Sequence, residues 1–115
     1  MLNFSKITPI YNKIKIAIKN PSPDNIKKLQ WGDYWLGLDL AAALKEYDYT
    51  VTTDYHGKFN KNKDADINIV IRGLDELKKI RYGKTNILYI ISHPEKIKKK
   101  ELNKYDIIIS ASEAF

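Results

Sequence analysis

Apolar residues in this chain fall into short runs whose period changes from one segment to the next. Ile14-Lys15-Ile16-Ala17-Ile18-Lys19 alternates and stops at Asn20-Pro21-Ser22-Pro23, which predicts a strand with Lys15 and Lys19 on its polar face. Over 33–47, Leu36, Leu40, Ala43, Leu44 and Tyr47 recur at the spacing of one buried helical stripe. Asp33 is placed there to cap the helix or to complement its dipole. Residues 50–55 are β-branched and strand-like, 66–71 read as a third strand stopped by Arg72-Gly73, and 74–80 suit a short helix. Asn86-Ile87-Leu88-Tyr89-Ile90-Ile91-Ser92 is too continuously apolar for a half-exposed strand and reads as a buried parallel one, ended by His93-Pro94. Segment 94–105 is helix-like, with Ile97, Glu101, Leu102 and Tyr105 on one face, and 106–110 is a fifth strand.

Strands alternating with helical segments predict an α/β fold with right-handed crossovers. The expected architecture is a three-layer, Rossmann-like domain over 14–115, preceded by an approach segment over 1–13. Its sheet should be mostly parallel, ordered 3-2-1-4-5, with helices on both faces. That order puts the switch point between the first and fourth strands, where open α/β sheets place their ligands. Loops starting at Asn20 and Ser92 would line the crevice, with Trp31, Gly32, Asp33, His93 and Arg72 as neighbours.

Composition narrows the function classes. A length of 115 residues with 43% hydrophobic content suits one domain, and cysteine is absent, which removes disulfide and thiolate chemistry and fits a cytoplasmic protein. No apolar stretch is long enough to span a bilayer, and the amino terminus lacks the apolar core of a secretory signal. The net charge of +6 is carried almost wholly by lysine, since arginine occurs only at Arg72 and Arg81. A specific nucleic-acid partner is therefore not expected, because arginine is the residue suited to bidentate phosphate and guanine contacts. Lysines 96, 98, 99, 100 and 104 read as a solvated helix face, with peripheral contact at an anionic membrane surface as the second reading.

The dinucleotide, P-loop and hydrolase-elbow glycine motifs are all missing. His93, at a strand's carboxyl end, is a candidate general base, set against a histidine that only bonds a loop carbonyl. His56 reads as solvated, and the two histidines have no carboxylate cluster with which to hold a metal. In Trp31-Gly32-Asp33-Tyr34-Trp35, Trp35 is assigned to the core and Trp31 is open between packing and a sugar or base platform. Asp33 stands between capping and catalysis, and Arg72 between anion binding and an exposed strand end.

Four segments occur in an order that resembles a known arrangement: Trp31-Gly32-Asp33-Tyr34, Ile71-Arg72-Gly73-Leu74, residues 86–95 ending Ser92-His93-Pro94-Glu95, and residues 105–113 ending Ala111-Ser112-Glu113. They are similar to the "WGDYH", "RG", "SHPD" and "ASE" segments in the amino-terminal half of bacterial GT-B glycosyltransferases, in the branch akin to spore-maturation CgeB-like proteins. The resemblance implies the acceptor-side, Rossmann-like domain of a two-domain enzyme that takes a sugar from a nucleotide-sugar donor and needs no metal or other cofactor. By the same resemblance His93 and Asp33 are catalytic, with Trp31, Gly32, Arg72, Ser92 and Glu113 binding substrate. The family continues into further helices and a donor domain where this chain stops. As a domain of a longer enzyme, or a remnant gene product, it is expected to be inactive alone and to self-associate through apolar surface left uncovered, as a homodimer. A non-catalytic, flavodoxin-like interaction module and a weak binder of anionic surfaces are the alternatives.

Overall fold

The computed structural model of the chain describes residues 13–111; nearly all of the approach segment, together with Ser112 and Glu113, lies outside the described residues. Five strands form one wholly parallel sheet: β1 (Lys15–Pro23), β2 (Thr50–His56), β3 (Ile67–Arg72), β4 (Thr85–Ile90) and β5 (Ile107–Ser110). The fold is α/β and Rossmann-like, as the alternation of elements predicts. Strand order is β2-β1-β3-β4-β5, however, and not 3-2-1-4-5. The connection 57–66 passes back across β1 and sets β3 at its side, on the face away from helix α1 (Gly32–Lys45). Periodicity within a strand carries no record of that crossover. The switch point accordingly falls between β1 and β3, and β4 lies one strand further out.

On one face Leu36, Leu40, Ala41 and Leu44 of α1 pack over Ile18, Val51, Ile71 and Ile91. On the other, Val70, Leu88 and Ile90 meet Phe59, Leu77 and Ile80, with Ile97, Leu102 and Tyr105 against them. This second layer is mostly irregular chain. No helix forms over 74–80, where Leu77 and Ile80 are buried from a non-helical path. The helix expected over 94–105 breaks at extended Ile97 and Lys98 into a 3-10 turn (Pro94–Lys96) and a short α2 (Lys99–Leu102). Its predicted inner face survives the break, because Glu101 is also buried.

Other expectations change as well. Trp31 occupies the N-cap position of α1, so Asp33 sits in the first turn and complements the dipole without capping it. Trp35 is half exposed, its indole N–H donating to the Leu29 carbonyl at 3.0 Å, and Tyr47 lies beyond the helix end in solvent. Lys19, expected on a polar face, is 0% exposed. It belongs to β1, an interior strand flanked by β2 and β3, and points to the side opposite α1, where Asp54 of β2 is its register partner. α1 covers the β1–β2 half of its face. Toward the β5 edge, Ile107 and Ile109 are exposed. No helix among the described residues is long and apolar enough to cross a membrane.

Candidate functional site

All five strands point their carboxyl ends the same way, so the loops that follow them share one rim. At the end of β1 the chain is fastened to the start of α1. The buried Asn20 amide donates to the Asp33 carbonyl at 3.0 Å, while its oxygen accepts from the Ser22 N–H (3.0 Å) and hydroxyl (2.6 Å). Position 37 has to be glycine for this, since a Cβ there would overlap the Asn20 Nδ2. Asp33 is thereby held in the first turn of α1, beside Gly73 at the end of β3. A Cβ at Gly73 would stand 2.9 Å from the Asp33 Oδ2. Burial raises the pKa of the Asp33 carboxyl above the ordinary aspartate value.

Between the carboxyl ends of β1, β2 and β3 opens a cleft of about 830 Å³, bounded among others by Trp31, Asp33, His56, Phe59, Leu74 and Lys78. Its outer wall, the loop after β2, is fastened from beneath. The Lys19 ammonium donates to the Asp54 carboxylate at 2.7 Å and to the Phe59 carbonyl at 2.6 Å. Asp54 also accepts from the Asn62 N–H (3.1 Å) and side-chain amide (2.5 Å). Both partners of the ion pair are removed from water, and the pair holds because each has further hydrogen bonds.

The cleft gathers two of the predicted residues, Trp31 and Asp33. Gly32 is the first residue of α1, with open space where a Cβ would project. Arg72 is not an exposed anion binder: it is 3% exposed, and Glu101 takes its guanidinium through Nε (2.7 Å) and Nη2 (3.2 Å) while Nη1 donates to the Gly73 carbonyl. The carboxylate that neutralises it comes from a segment 29 residues away. Ser92 and His93 stand on the same sheet edge after β4, but neither lines the cleft. His93 has left-handed backbone (φ 51°) and is exposed, with Nδ1 3.2 Å from a Glu95 carboxylate oxygen. Glu113 lies outside the described residues.

Reasoning from sequence missed His56 and Phe59, whose rings meet edge to face at 5.9 Å on the cleft wall. The signal was available, since His56 ends a strand just as His93 follows one. Among the described residues no group of histidine, aspartate and glutamate side chains is arranged to hold a metal. What the cleft offers is an indole, a carboxyl group with raised proton affinity, and apolar walls. Comparison with protein-family models, curated proteins and solved structures yields no match to this chain.

Proposed function

We infer that this chain is the acceptor-side domain of a GT-B glycosyltransferase, which binds the sugar acceptor and relies on a donor-binding partner domain for transfer from a nucleotide sugar. The observation that carries the reading is the juxtaposition of Trp31 and Asp33 in one cleft at the sheet's switch point. An indole 43% exposed offers a flat apolar face to a sugar ring. A carboxyl with a raised pKa is a stronger base toward a hydroxyl proton than an ordinary aspartate. In this role Asp33 takes the proton of the acceptor hydroxyl. His93 serves from the neighbouring strand end once a second domain closes over the rim. The absence of cysteine supports a cytoplasmic location, with the lysine-rich side at the inner face of the membrane.

Titration of the protein with a panel of neutral saccharides, followed through the Trp31 indole N–H resonance, tests this reading. Saccharides should shift that resonance, and Trp31→Ala should weaken their binding about tenfold or more, the scale of one stacked aromatic contact. If no saccharide on the panel moves the Trp31 signal, the reading is wrong. A second reading is favoured by the strand order, which is that of flavodoxin-like domains. It makes the chain a non-catalytic α/β interaction module, for which the same panel would be silent.

A further inference from the structure

Asp75, Glu76 and Lys78 belong to the wall of the cleft and equally to a second concavity of about 520 Å³, beneath the segment 96–104. The two hollows therefore share a rim. In the second, Arg72 is neutralised by Glu101, and Lys104 is neutralised by Glu76 at 2.9 Å. The hydrogen bond from Lys104 holds the Glu76 carboxyl below the usual glutamate range. What remains is Lys78, Lys96, Lys98 and Lys100 facing Asp75, and none of these lysines has an ion-pair partner among the described residues. Glu95, next to Lys96 in sequence, pairs with His93 at 3.2 Å and interacts with Lys96 only as a weaker, unpaired charge. Ammonium groups converging on a hollow walled by protein raise the local positive potential and concentrate anions there. The hollow also lies at the carboxyl ends of β3 and β4, on the ligand-bearing side of the sheet.

We propose that this groove binds the phosphate of a phosphorylated saccharide or polyol whose ring occupies the Trp31–Asp33 cleft. The proposal rests on the acceptor-site reading and adds the acceptor's class, a phosphate ester. Lysines deliver point charges without the fixed fork of arginine, which suits a compact dianion that approaches from one side of the cleft.

Binding of glucose, glucose 1-phosphate, glucuronate and inorganic phosphate to the full chain is compared by calorimetry. Each is measured for the unaltered protein, the pair Lys96→Gln with Lys98→Gln, and a charge-matched control pair outside both hollows, Lys27→Gln with Lys45→Gln. All four positions are exposed, and circular dichroism verifies the fold. Glucose 1-phosphate should bind at least about tenfold tighter than glucose, the scale of one or two charge-assisted contacts. The groove pair should erase that gain and leave glucose unchanged, and the control pair should preserve it. A gain that survives the groove pair, that the control pair removes equally, or that glucuronate matches overturns the phosphate groove while glucose binding still upholds the cleft. Phosphate binding with no contribution from the sugar refutes the cleft reading, and the phosphorylated-saccharide ligand with it.

Discussion

In the first turn of α1, the Asp33 carboxyl is half-buried against Gly73, and its pKa rises for that reason. A raised folded-state pKa means the native protein holds this proton more tightly than the unfolded chain does. The associated stability is complete below the ordinary value of 3.8 and is lost as pH rises through the folded midpoint. Asp33→Asn should therefore match the unaltered protein at the acid end and become relatively more stable as pH climbs through that window. Urea unfolding at stepped pH checks this; a difference that shrinks with rising pH would contradict it. Trp31 and Asp33 were legible as a pair because they stand at a helix start, at the end of the loop that follows the first strand. His56 carries the same strand-end signal, but the polar loop that follows it looks the same whether it is solvated or folded over a cleft, and that loop led to the solvated reading.

Among the elements, the strands were the most legible part of the fold, and every predicted strand occurs. β3, β4 and β5 are compact, mainly apolar runs, whereas β1 shows itself by alternation and β2 by its β-branched residues. What hid was pairing. Lys19 looked like a solvent-facing residue because alternation reports which residues share a side, not what covers that side. Its partner Asp54 sits in the next strand, and only the register of β1 against β2 reveals them as neighbours. Lys19→Met should cost about 3–5 kcal/mol, because it strands a buried carboxylate. Adding Asp54→Leu should recover much of that loss, since an apolar pair of similar volume is often neutral there. Guanidinium unfolding of the two variants checks it, and equal losses in single and double variants would rule it out. The helix expected over 74–80 failed for a related reason. Leu77 and Ile80 have helical spacing, but the connection between the adjacent strands β3 and β4 brings both to the core from an irregular path.

At the scale of the whole molecule, the two faces of the sheet are unequally covered. Three connections crowd the side that carries Val70 and Leu88, while α1 alone serves the other and lies over β1 and β2. Toward the β5 edge, Ile107, Ile108 and Ile109 are each at least 40% exposed. An apolar edge of this kind favours pairing between copies. Sedimentation velocity should show concentration-dependent association that Ile109→Lys suppresses without loss of the folded signal; a strictly monomeric parent protein would exclude it. The strand order belongs to this scale too, and it lay beyond the sequence because one crossover, over 57–66, decides it. The ammonium of Lys19, reaching up from the sheet to the Phe59 carbonyl, has an effect beyond stability. It fixes the lip of the cleft in the folded state, so that any molecule entering there would meet a preorganised wall and its association would be spared the entropy of ordering that loop.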